Sequence, residues 1–129
     1  MQVYLSEEAI QSITALQCCL AKTNTDGFLI GHKRGNMFIV ERILPSSTGF
    51  FSSPEKYFEL KNKLDDKILG FYSFRTNETK LKKILNPFGF GKIFLSLDPE
   101  NSDRSEIKPF AIEHDQKFYL QPIDLRSAL

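Results

Sequence analysis

Few side chains in this sequence could carry chemistry. His32 and His114 are its only histidines, and Cys18 and Cys19 its only cysteines. Ser73 is a hydroxyl placed at the exit of the apolar run Ile68-Leu69-Gly70-Phe71-Tyr72. Both histidines with one cysteine would make a zinc donor set, but their spacing matches no ligand pattern. Each histidine is expected in a hairpin turn, where exposure to solvent is the ordinary explanation. Activation of Ser73 as a nucleophile would need His32 or His114 brought to it by the fold, because no histidine lies near it in sequence. Gly89-Phe90-Gly91 and the stretch Gly31 to Gly35 lack the spacing of a phosphate loop. A second group is basic: Arg75, Lys80, Lys82, Lys83 and Lys92, with Glu78 opposing them and Phe74, Phe88 and Phe90 interleaved. Such a patch could bind single-stranded nucleic acid or an acidic ligand. Its plainer reading is the solvated face of a short helix, with the phenylalanines in the core.

The elements that must position these residues follow from composition and periodicity. The chain has 129 residues, 41% hydrophobic and 26% charged, which suits one globular domain with a real core. Seventeen basic and sixteen acidic side chains give a net charge of +1, so no global field draws it to nucleic acid or an anionic membrane. No apolar run reaches the length of a transmembrane helix, and no membrane partner is expected. The N-terminal residues turn acidic at Glu7 and Glu8 and do not read as a signal peptide. Adjacent cysteines build no disulfide framework, and a cytoplasmic setting is expected.

Val3 to Leu5 reads as a first strand, and Ser6 as the N-cap of a helix with Ile10, Ile13, Leu16 and Leu20 on one face, ending near Lys22. Cys19 sits at the edge of that stripe and reads as a small buried hydrophobe. Gly27 to Gly31 and Met37 to Leu44 read as strands joined by a turn over 32–36. The second is apolar on both faces and so expected to be covered on two sides. A helix starts at Ser53 or Pro54, with Tyr57, Leu60 and Leu64 inward. The strand Lys67 to Phe74 contains Gly70, which marks a bulge or a close backbone approach. A short helix over Glu78 to Leu85 precedes strands at Ile93 to Leu97, Ile107 to Ile112 and Phe118 to Leu120. Strands alternating with helices predict a layered α/β domain.

Three stretches of the chain resemble the JAB1/MPN/Mov34 (JAMM) family. Gly27-Phe28-Leu29-Ile30-Gly31 with Val40-Glu41-Arg42-Ile43-Leu44-Pro45 is similar to the family's Gly-x-x-x-Gly strand and the Val-Glu strand after it. Ile68-Leu69-Gly70-Phe71-Tyr72 resembles its metal-site strand, and Ile93-Phe94-Leu95-Ser96-Leu97-Asp98-Pro99 its later strand ending in Asp-Pro. The resemblance implies a single α/β domain over 1–129, a mixed β-sheet flanked by helices.

Active members of that family are zinc isopeptidases acting on ubiquitin-like modifiers. Two histidines and an aspartate hold the metal, and a glutamate is the general base. Carried onto this chain, the glutamate falls on Asn24, the histidines on Ser73 and Arg75, the family serine on Lys83 and the aspartate on Asn86. An asparagine amide is not basic, and a permanently cationic arginine repels a metal. The resemblance therefore implies a non-catalytic, metal-free and cofactor-free domain that binds proteins as a scaffold, with another MPN domain or a second copy as partner. Its former cleft would be filled by a salt bridge or by a partner segment. Two rivals stay open: a hydrolase with a rearranged site, and a nucleic-acid or acidic-ligand binder using Arg75, Lys80, Lys82, Lys83 and Lys92.

Overall fold

The structure is a computed structural model describing residues 1–19, 26–46, 59, 62, 67–74, 78–87, 89–97 and 107–127. Its elements in chain order are β1 (Gln2–Leu5), α1 (Glu7–Cys19), β2 (Asp26–Arg34), β3 (Met37–Ser46), β4 (Ile68–Phe74), α2 (Glu78–Lys82), β5 (Ile93–Leu97), β6 (Lys108–Asp115), β7 (Lys117–Pro122) and β8 (Asp124–Ser127). Of the helix expected after Ser53, only Glu59 and Asn62 are among the described residues, both helical and exposed. Asn24 and Arg75 lie outside them.

The strands form one eight-stranded mixed sheet in the order β7-β6-β5-β4-β2-β3-β1-β8. β1 runs parallel to β3 and β8, and β4 parallel to β5, while the other neighbours are antiparallel. The last two strands stand at opposite ends of that order, yet only Ile123 separates them in the chain. The chain crosses from β7 to β8 over that single residue, so the two ends of the sheet come together and nearly close it. Closure leaves little free strand edge.

Each face of the sheet carries an apolar cluster. Ala9, Ile10 and Ile13 of α1 pack with Val3, Leu29, Val40, Tyr72, Phe74 and Leu95. On the other face Phe28, Ile30, Phe71, Phe94 and Ile112 pack with Ile84, just past α2, and Leu81 within it. β4 lies between the two clusters and is buried at every residue. Each large side chain so buried contributes about 1.5–3 kcal/mol relative to exposure. Ser6 caps α1 as its position predicts. Its Oγ accepts the Ala9 N–H at 3.1 Å and donates to the Glu41 carbonyl at 2.7 Å, pinning the start of the helix to β3.

Several boundaries differ from the expectation. β2 runs on through Arg34, so His32 lies within a strand, opposite Ile39, and the turn is only Gly35-Asn36. Gly35 has φ +60°, which suits the first central position of a tight two-residue hairpin. On β3, Phe38, Val40 and Ile43 are buried but Glu41 and Arg42 are exposed, so the strand is not covered on both faces along its length. α2 stops at Lys82, and the following residues form a turn. His114 and Asp115 belong to β6, and the hairpin reverses at Gln116, a non-glycine residue with φ 67°. β8 is a strand that periodicity did not predict.

Candidate functional site

The site grows from a bulge. β2 and β4 pair antiparallel with Leu29 opposite Gly70 and Ile30 opposite Ile68, so the register shifts by one residue at that point. An extra residue in one strand resets which side chains share a face. Beyond the bulge Phe71 faces the α2 side of the sheet, while Tyr72 and Phe74 face α1. Alternation then puts Ser73 on the α2 side with Phe71. The same register sets Asp26, the first residue of β2, directly opposite Ser73.

α2 lies over that face and delivers Lys80. Its ammonium donates to Asp26 Oδ1 at 2.9 Å, to Ser73 Oγ at 3.2 Å and to the Phe74 carbonyl at 3.1 Å. Three acceptors thus stand in reach of the three N–H donors that an ammonium carries. The Ser73 hydroxyl has one proton, and its shortest partner is Asp26 Oδ1 at 2.7 Å. The Lys80 and Asp26 side chains are only 13% and 11% exposed, and Ser73 is fully buried. A buried charge persists only when it is paired and hydrogen-bonded, and this pair is both. Ser73 is therefore not the polar exit of a strand; it closes a buried ion pair.

Tyr72 borders the same pair from the other face of β4. Its phenol is buried, and its Oη has no hydrogen-bond partner among the described residues. Burial, and secondarily the Asp26 carboxylate, push its pKa well above the ordinary tyrosine range. With the folded value raised, the stabilising contribution is fully present below the unfolded value near 10 and is lost as pH rises beyond it. Tyr72→Phe removes a buried hydroxyl that no described residue pairs with, so it is expected to stabilise the fold by about 1 kcal/mol at neutral pH. The variant should also lose less stability than the parent between about pH 9 and pH 11 in urea denaturation series, because the phenol of the unfolded chain titrates near pH 10. A destabilised variant would show that the phenol has a partner of its own.

The other expected site residues are not gathered here. Asn86 builds the turn after α2: its Nδ2 donates to the Lys83 carbonyl at 2.7 Å, and its Oδ1 accepts the Gly89 N–H at 3.1 Å. Lys82 and Lys83 are exposed and Lys92 is half-buried, as a solvated face allows. Lys80 departs from that reading because Asp26 draws it inward. Phe74 is core, whereas Phe90 is 52% exposed. His32 is half exposed and pairs with Glu41 at 2.6 Å, and His114 is exposed against Phe118, so neither is the base that Ser73 would need. Among the described residues, no three His, Cys, Asp or Glu side chains converge where a metal ion could be held. Asp26 is the member of this cluster that sequence reasoning missed. No local signal marked it: its place opposite Ser73 follows from the antiparallel pairing of Gly27 with Tyr72.

No protein-family model matches this chain, and no curated protein does. Among solved structures it is similar to the solution structure of protein DSY2949 from Desulfitobacterium hafniense, with a TM-score of 0.64 and 17% identity over 98% of this chain and 94% of that one. At that identity the likeness shows the fold alone: a mixed α/β arrangement, mostly sheet. Among the described residues no helix is long and apolar enough to cross a membrane.

Proposed function

We propose that this chain is a degenerate JAB1/MPN-like domain that acts without catalysis, as a protein–protein interaction module. The observation that carries this reading is the buried Asp26–Ser73–Lys80 cluster. By the resemblance, Ser73 stands where the family has its first zinc-binding histidine. Here its Oγ is held by an ammonium 3.2 Å away. The residues present do not fit a zinc ion. Lys80 takes up the oxygen donors that a cation would need, and its own charge repels a divalent ion at such distances. A salt bridge filling the former cleft is one of the two fillings that the resemblance implies for a non-catalytic member. The partners expected on this reading are proteins, another MPN-type domain or a second copy among them.

The proximity of Ser73 to Lys80 favours one rival, a serine hydrolase with a rearranged site. The geometry argues against it. An ammonium engaged by a carboxylate is not a base, and Ser73 turns its proton to Asp26 and has no surface open to a substrate. Both readings are tested on one preparation, made without a histidine tag from zinc-supplemented culture. No stoichiometric zinc by mass spectrometry, and no labelling by a fluorophosphonate probe, is the expected result. One zinc per chain would overturn the module reading, and labelling abolished by Ser73→Ala would establish the hydrolase.

A further inference from the structure

The turn after α2 and the β6–β7 hairpin form a small, open apolar pocket, about 220 Å3, lined by Pro87, Phe90, His114 and Phe118. Cavities that bury a drug-sized ligand run from about 300 to 1,000 Å3, so this one suits a single side chain. It is built where the hairpin outruns β5. The Gly91 N–H donates to the Ile112 carbonyl at 3.2 Å and the Ile112 N–H to the Lys92 carbonyl at 2.9 Å, which ties the turn against the protruding arm. His114 and Phe118 face each other across the hairpin, their rings 4.6 Å apart and tilted by 56°. Phe90 meets Phe118 nearly edge-on, with centroids 6.4 Å apart. They continue the α2-side face of the sheet past Ile112 and Leu120. Phe90 and Met1 are the exposed large hydrophobic residues among those described, and Phe90 is 52% exposed.

Along the turn segment the charge has one sign. From Thr79 to Leu97 the chain carries Lys80, Lys82, Lys83 and Lys92 and no acidic residue. Lys80 is taken by Asp26, while Lys82 and Lys83 are exposed on the segment that leads into the turn. The nearby acids of the hairpin are Glu113 and Asp115, which alternate with His114 and so lie on the opposite face of β6. An exposed apolar niche whose adjoining segment carries exposed lysines is complementary to an apolar side chain flanked by carboxylates.

We propose that the Pro87–Phe90–His114–Phe118 pocket docks an acidic protein segment through one apolar anchor side chain, with Lys82 and Lys83 engaging the flanking carboxylates. The proposal rests on the module reading for the kind of partner, but its failure is separate: zinc content tests that reading and leaves the pocket untouched. The probe is a fluorescein-labelled nonapeptide of aspartates and glutamates with phenylalanine at its centre, followed by fluorescence anisotropy on the full chain. Saturable binding is expected, weakened at least tenfold by Phe90→Ala, by Lys82→Glu with Lys83→Glu, or by alanine at the centre of the peptide. Phe90 is exposed, so its truncation leaves the core intact, and an unchanged thermal melt checks this. Four results would overturn the proposal: no saturation by 1 mM peptide (about the weakest affinity that a specific anchor should give), affinity indifferent to Phe90 or to the peptide's centre, tighter binding of single-stranded RNA, or self-association that Phe90→Ala abolishes.

Discussion

Lys80→Met is expected to destabilise the fold by about 3–5 kcal/mol, because it leaves the Asp26 carboxylate buried without its cation. The estimate rests on burial: with the Asp26 and Lys80 side chains 11% and 13% exposed, water cannot take over for the missing ammonium. Ser73 would still donate to Asp26, but one hydroxyl does not neutralise a charge. The Phe74 carbonyl would also lose a donor 3.1 Å away. The pair itself need not add much net stability, since desolvating two charges offsets most of their attraction. The double variant Asp26→Asn with Lys80→Met should therefore recover more than half of the loss. Urea denaturation of the parent, both single variants and the double variant gives the coupling directly. A loss below about 1 kcal/mol for Lys80→Met, or strictly additive losses, would show that the cluster is better solvated than its geometry implies.

The same cluster shows how far the sequence could be read. The apolar run around Gly70 announced a buried strand, and β4 is one, with β5 falling on Ile93–Leu97 as expected. Ser6 announced a cap, because a cap is a local bond between neighbours in sequence. Asp26 announced nothing. It closed a polar run that reads as loop, and its meaning comes from a residue 47 positions away that pairing brings opposite. Lys80 was legible as a basic residue on a short helix. Its inward turn depends on α2 docking over the end of β4, which no period in the sequence encodes. β8 was missed for a related reason. Its four residues have little pattern of their own and become a strand by lying parallel to β1. Phe90 was read as core because phenylalanine usually is, yet its neighbours leave it half exposed. Bonds within a few residues could be read in advance, and those made by strand pairing and helix docking could not.

Gly70→Ala is expected to cost more than about 3 kcal/mol, beyond the usual range for adding one methyl group to a packed interior. β4 and β5 run parallel with Gly70 opposite Ile93, and a Cβ on Gly70 would drive into the Ile93 carbonyl oxygen. The Ile93 carbonyl carbon and amide nitrogen would stand 2.7 and 2.8 Å from it. These are backbone atoms and cannot rotate aside, so β5 itself would have to shift, carrying Phe94, Leu95 and Leu97 out of the core. Gly70 also abuts the one-residue register shift that sets the facing of Phe71 to Phe74. Relaxing the clash by sliding β4 would turn Ser73 away from Asp26 and break the ion pair as well. Gly35→Ala is the control: it has φ +60° but nothing within 4 Å of the added Cβ, and it should cost only about 1 kcal/mol. Denaturant midpoints of the two variants separate steric exclusion from backbone strain. If Gly70→Ala proved as mild as Gly35→Ala, the close approach of β4 to β5 would be refuted. The facing that brings Ser73 and Lys80 together would then need another cause.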